Sequence, residues 1–170
     1  MSERKKFIIL ANMQAVCYKE VFPLIKNNEI RLGARDGHNM TFQTTTGMVN
    51  ITAYWLTNMH HDVMPKLTLT KRYTPEEYPK YDNMDAINVK RVSDIPMDYE
   101  GVMGVPLSYI ERHDATKYDI ITIACGNSWK NYKEDLTSLN FNHDIKYGGG
   151  LGTAVLNGKG VYTRILIRKK

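Results

Sequence analysis

Cysteine is nearly absent from this sequence. Cys17 and Cys125 are its two cysteines, and more than a hundred residues separate them. A disulfide-stapled secreted scaffold needs several pairs at short spacing, so that class is excluded. Proline is sparse, with six residues and no Pro-Pro pair, and nothing in the composition suggests disorder or collagen. No apolar run approaches the roughly 20 residues of a membrane-spanning helix. The basic opening, Met1-Ser2-Glu3-Arg4-Lys5-Lys6, is followed only by Phe7-Ile8-Ile9-Leu10-Ala11 before Asn12. That run is too short for the apolar core of a signal peptide. The sequence therefore points to a cytoplasmic protein with no membrane partner.

What is present is ordinary globular composition: 42% hydrophobic and 24% charged residues over 170 positions, enough to bury a core. The formal charge is +5, a mild basic excess compatible with a polyanionic partner.

Hydrophobic patterning predicts an α/β opening. Phe7 to Ala11 reads as a buried strand, Tyr18 to Asn28 as a helix with Pro23 near its start, and Glu29 to Leu32 as a second strand. Strand, helix and strand at this spacing suggest a right-handed parallel crossover. Residues 34–50, with Gly37, His38, Asn39, three successive threonines and Gly47, read as an inserted loop. Ile51 to Thr57 and Lys66 to Tyr73 read as strands, joined as a hairpin around His60-His61-Asp62. Thr74 to Pro106 carries four of the prolines and reads as loops and short helices. Tyr118 to Ala124 is a strand. Ala154 to Leu156 and Val161 to Ile167 flank Asn157-Gly158-Lys159-Gly160 as a predicted hairpin.

Isolated motifs carry little. Gly148 to Gly152 lacks the following helix and acidic residue of a dinucleotide fingerprint, so it reads as a flexible turn. The histidines do not fall at zinc spacing, and no metal site is expected. Cys17 reads as a buried or half-buried thiol, and Asp82 and Asp85 as structural or solvated. Trp129, Lys130, Tyr132 and Lys133 interleave aromatics with cations, a composition shared by base-stacking surfaces and ordinary amphipathic ones. Arg164 and Arg168, four apart on a strand, share one face. With Lys169 and Lys170 they form a basic end suited to phosphates or to solubility alone.

Five passages, in order, resemble the EcoRI-type adenine-specific DNA methyltransferase family. They are Lys6 to Ala15 with Tyr18 to Lys26, then Tyr54-Trp55-Leu56-Thr57-Asn58. Next come Tyr73-Thr74-Pro75-Glu76-Glu77-Tyr78-Pro79-Lys80-Tyr81-Asp82-Asn83 with Asp85-Ala86-Ile87, and Asp98 to Pro106. The last is Asn157-Gly158-Lys159 with Tyr162 to Lys169. The matches thin out over 34–51 and 125–154.

The resemblance implies an α/β fold: the C-terminal half of a class I (Rossmann-like) methyltransferase sheet over 1–73, then a mixed α+β target-recognition region over 74–170. Phe7 to Ala11 would be the fifth strand and Tyr54 to Asn58 part of the seventh, antiparallel one. The complete family enzyme uses S-adenosylmethionine to methylate adenine in duplex DNA, commonly within restriction-modification. It carries a glycine-rich cofactor turn and an Asn/Asp-Pro-Pro-aromatic tetrad that holds the flipped adenine. Neither motif occurs in these 170 residues, where no proline follows Asn or Asp. No catalytic, cofactor-binding or metal residue is therefore assigned, and no S-adenosylmethionine binding is expected of the chain alone. DNA contacts are expected at Asn12, Asn58, Lys71, Arg72, Trp129, Lys130, Arg164 and Arg168. The implied partners are duplex DNA, a separate chain carrying the N-terminal methyltransferase half, and a second copy through self-association. A non-catalytic DNA-binding or interaction module derived from such an enzyme is the alternative.

Overall fold

The computed structural model describes residues 5–33, 39–60, 67–145 and 150–170. The chain is mixed α/β and forms two compact units, Met1–Pro65 and Lys66–Lys170. Among the described residues no helix is long and apolar enough to cross a membrane.

The first unit begins with β1 (Ile8–Ala11) and a 3-10 helix over Met13–Cys17, then α1 (Phe22–Lys26) and β2 (Arg31–Leu32). Asn12 ends β1 and caps the 3-10 turn, its side chain accepting from the Gln14 N–H at 2.8 Å. Pro23 lies in the first turn of α1, where its missing N–H costs nothing. The helix is shorter than the pattern over Tyr18 to Asn28 predicts, because the chain turns at residues 18–21 before entering it. Val16, Phe22, Ile25, Ile30, Leu32 and Leu56 are buried in this unit.

One further strand completes a small three-stranded sheet. β5 (Tyr54–Thr57) lies between β1 and β2 and runs antiparallel to both, so β1 and β2 point the same way. The expected burial of β1 is not observed: Ile8 is 57% exposed and Ile9 53%. Successive side chains alternate faces, so both faces of β1 are open. Only one of its edges is paired among the described residues.

Residues 34–50, expected to be loop, form a ribbon from Asn39 onward: β3 (Asn39–Thr44) pairs antiparallel with β4 (Gly47–Thr52) across a two-residue turn. Gly47 closes the turn at φ +134°, a conformation side chains disfavour. Residues 34–38, including His38, lie outside the described residues, as do His61 and Asp62 of the expected hairpin turn. Over 67–73 the chain forms no strand, although β-branched and aromatic residues predicted one.

The second unit is built on a four-stranded sheet ordered β6 (Ile87–Asn88), β7 (Met103–Pro106), β11 (Arg164–Lys169), β8 (Tyr118–Ala124). β6 and β7 are parallel, and the other pairs are antiparallel. Strand β7 sits in the stretch read as loops and short helices. Ile165, Leu166 and Ile167 are fully buried, as a central strand covered on both faces requires. Short helices α2 (Ser128–Asn131) and α3 (Lys133–Thr137) follow β8. Leu136 of α3 joins Tyr81, Ala124, Phe141, Ala154 and Leu166 in one apolar cluster. The C-terminal hairpin is smaller than predicted. β9 (Val155–Leu156) pairs with β10 (Lys159–Gly160) around Asn157 and Gly158, whose φ values of 52° and 71° suit a tight hairpin turn. β11 leaves that hairpin and pairs with β7 and β8 instead.

Candidate nucleic-acid interface

Of the residues expected to touch DNA, Asn12 and Asn58 lie in the first unit and the other six in the second. Asn12 follows the last residue of β1 and Asn58 the last residue of β5. Because those strands are antiparallel, the two asparagines sit at opposite ends of the sheet. Asn12 is exposed and its acceptor caps a turn. Asn58 is a staple: its amide oxygen accepts from the Phe7 N–H at 3.0 Å and its amide nitrogen donates to the Lys5 carbonyl at 2.9 Å. Both ends of that side chain hold the entry to β1.

In the second unit, Lys71 pairs with Glu77 at 3.6 Å in an exposed ion pair, while Arg72, Lys130 and Arg168 are exposed. Trp129 is half-buried. Its ring stacks on Phe141 and on His143, with centroids 5.5 and 5.0 Å away, and the Lys133 ammonium lies 5.6 Å from its centre. Arg164 is half-buried too. Its Nε donates to Asn88 at 3.3 Å, and its Nη1 to the carbonyls of Tyr162 and Thr163. So Arg168, Arg72 and Lys130 present charge to solvent, whereas Arg164, Trp129 and Asn58 are engaged within the protein.

The passage from Tyr73 to Asn83 is a brace. Tyr73 packs against Tyr78 and Tyr99, and the Tyr78 hydroxyl donates to the Asp94 carbonyl at 2.8 Å. The Tyr81 hydroxyl donates to Asn88, and burial pushes that phenol well above its ordinary pKa, with the Arg164 guanidinium opposing the shift. Asp82 accepts from the Gly158 N–H at 2.7 Å, and Asn83 bonds the backbone of Thr153 and Val155. Asp85 accepts from Asn140. These contacts tie the β9–β10 hairpin to the central sheet and leave the carboxylates in structural roles.

The Cys17 thiol is half-buried and bonds Gln14 at 3.6 Å. Cys125 is buried against the Ser128 hydroxyl, whose turn also receives the glycine segment. Gly148 and Gly149 lie outside the described residues. A side chain at Gly152 would strike the Trp129 and Ser128 amides, so that end of the segment is packed, not loose. Among the described residues, no three His, Cys, Asp or Glu side chains gather as a metal site. Among the described residues, one cleft of about 90 Å³ lies beside Arg31 and Asn58 and another of about 30 Å³ beside Tyr109 and Arg112. Both are far below the roughly 300 Å³ at which small-molecule sites begin.

One edge of β1 is open among the described residues. Ile8, Leu10 and the half-exposed Trp55 share one sheet face, since Leu10 pairs directly with Trp55. One feature escaped the sequence reading, the β3–β4 ribbon, whose period-two alternation was the signal that could have found it. Thr41, Gln43, Met48 and Asn50 line one face, and Met40, Phe42, Val49 and Ile51 the other.

The family model described as "Adenine-specific methyltransferase EcoRI" matches residues 1–170. The Type II methyltransferase M.EcoRI of Escherichia coli is 35% identical over 187 aligned residues, covering 98% of this chain and 51% of that protein. M.MpnI of Mycoplasma pneumoniae is 28% identical, covering 98% of this chain and 57% of its own length. M.MgeORF184P of Mycoplasma genitalium is 25% identical, covering 100% and 59%. The chain thus spans about half the length of the curated relatives it matches. No solved structure matches it.

Proposed function

This chain belongs to the EcoRI-type adenine-specific methyltransferase family, and from that premise we propose that it is the DNA-reading part of a DNA adenine-N6 methyltransferase. It works with a segment that carries the cofactor turn and the tetrad, in the same polypeptide or in another chain, and transfers no methyl group without it. S-adenosylmethionine supplies the methyl group in the assembled enzyme. The residues of this chain complete the sheet, bind the duplex and orient it, and they act in the cytoplasm.

The observation that carries this reading is the open edge of β1. A strand buried in a parallel sheet is apolar on both faces, because helices cover both. Ile8, Ile9 and Leu10 have that composition and are all exposed. Backbone donors and acceptors on the unpaired side are a template for another strand. The strand directions are those the reading requires: Ile8–Ala11 as the fifth strand, Arg31–Leu32 as the next, and Tyr54–Thr57 as the seventh, antiparallel to both. A segment docked at this edge brings its tetrad beside Asn12, at the carboxyl end of β1, where open sheets of this kind bind ligands. Exposed Arg72, Lys130 and Arg168 supply phosphate contacts, and these weaken steeply with salt.

The test is co-expression of the 170-residue chain with the N-terminal half of M.EcoRI. Co-purification is expected, and Ile9→Lys should abolish it by placing a charge in the joint. A folded, soluble N-terminal half that stays separate from the unmodified chain would overturn the proposal.

A further inference from the structure

We propose that the β3–β4 ribbon is a base-reading element, entering the major groove of duplex DNA with the face that carries Thr41, Gln43, Met48 and Asn50. This rests on the proposed function above, and adds to it the place and the chemistry of sequence discrimination.

Shape is the first argument. Six residues per strand make a ribbon roughly 20 Å long. A two-stranded ribbon fits the major groove, about 12 Å wide, whereas the minor groove, about 6 Å wide, excludes it. The ribbon is a separate two-stranded sheet with no third strand among the described residues.

Composition decides what such a ribbon can recognise. From Asn39 to Thr52 there is no charged side chain, so the ribbon cannot hold phosphates by ion pairing. Its outward face carries an amide on each strand instead. Asparagine and glutamine read adenine by accepting from N6 and donating to N7, while arginine and lysine, the readers of guanine, are absent. Met48, 65% exposed and directly opposite Gln43, offers the apolar contact that a thymine methyl accepts. The face is therefore suited to A·T pairs.

The face is also held in place. The Thr41 hydroxyl donates to the Asn50 amide oxygen at 2.6 Å across the ribbon. That fixes the side chain while leaving its amide hydrogens and a second lone pair for a base. At the tip, the Thr44 hydroxyl donates to the Gly47 carbonyl at 2.7 Å and accepts from the Thr46 N–H. A turn locked in this way enters a groove with less conformational entropy to lose.

The experiment is selection of duplexes from a randomised library by the full 170-residue chain at low salt, with total binding measured in parallel. The unmodified chain is expected to enrich A·T pairs at defined positions. Gln43→Ala and Asn50→Ala should each cut that enrichment by about tenfold and leave the slope of affinity against salt unchanged, because neither residue meets a phosphate. Asn50→Asp, of equal size, should shift the preference toward cytosine, because a carboxylate accepts from its amino group. Variants that keep the enrichment would overturn the ribbon's role and leave the DNA reading standing. Variants that lose self-association while keeping the enrichment would assign this face to a second copy. An unmodified chain that binds no duplex would overturn both.

Discussion

The hydroxyl of Tyr81 donates to the side-chain oxygen of Asn88 at 3.0 Å, both residues buried. That oxygen also accepts from the Nε of Arg164, and the Tyr81 ring lies so close to Gly104 that any side chain there would strike it. One acceptor therefore serves a phenol from the brace and a guanidinium from β11, joining β6, β7 and β11. Tyr81→Phe should cost about 1 kcal/mol of stability, the usual net value of a buried hydrogen bond. Arg164→Lys should cost a similar amount, because lysine lacks the planar fork. Arg168→Ala should leave stability within about 0.5 kcal/mol and weaken duplex binding instead. Urea titration beside DNA-binding isotherms separates the two arginines; equal effects on both readouts would refute the division.

The Thr122 hydroxyl is buried in β8 with no hydrogen-bond partner among the described residues, next to the register shift between β8 and β11 at Leu166 and Ile167. A buried polar group without a partner is costly. Thr122→Val keeps the shape and removes the hydroxyl, so it should raise stability by about 1 kcal/mol. A loss of stability by calorimetry would mean that the hydroxyl is bonded in solution.

His113 lies half-buried against Tyr109, its Nδ1 3.1 Å from the phenol oxygen. Burial lowers its pKa; Asp114 and Asp119 oppose the shift, and Lys170 adds to it. The folded state thus holds the neutral ring, and the unfolded chain binds the proton first. The stability from this site is complete above about pH 6.5, the unfolded value, and is lost as pH falls through the lower folded value. The thermal midpoint of His113→Gln should change less between pH 7 and pH 5 than that of the unmodified chain. An identical decline in both would exclude His113 as the source.

Much of the second unit was legible because its signals are local. Tyr118–Ala124 is rich in β-branched residues, Ile165–Ile167 is an unbroken apolar run, and Asn157-Gly158 dictates a tight turn through its positive φ angles. What was not legible depends on partners distant in sequence. β11 pairs with β7 and β8, neither adjacent in the chain, and no local pattern names them. Residues 67–73 have strand composition without a ladder, since β-propensity reflects fit to neighbours. The ribbon was obscured by the glycine, histidine and threonine punctuation around it, although Met40-Thr41-Phe42-Gln43 alternates cleanly. The structural role of Asn58 was not legible either, because the groups it bonds, Phe7 N–H and Lys5 C=O, lie some fifty positions earlier.

The open edge predicts the behaviour of the chain on its own. Ile9 on one face of β1 and Ile8 and Leu10 on the other expose apolar surface beside an unpaired backbone, so the isolated chain should self-associate. Ile9→Lys should shift sedimentation toward monomer without unfolding the second unit. A chain that is monomeric at high concentration without the substitution would show that this edge is not sticky.

The central claim is that these residues complete a methyltransferase they cannot replace. Its most direct measurement is transfer of labelled methyl groups to adenine in duplex DNA by the 170-residue chain, by the N-terminal half of M.EcoRI, and by the two together. Transfer in the mixture and in neither half alone is the predicted result. A folded complex of both halves that binds cofactor and DNA yet transfers nothing would contradict the account and leave the chain a DNA-binding module.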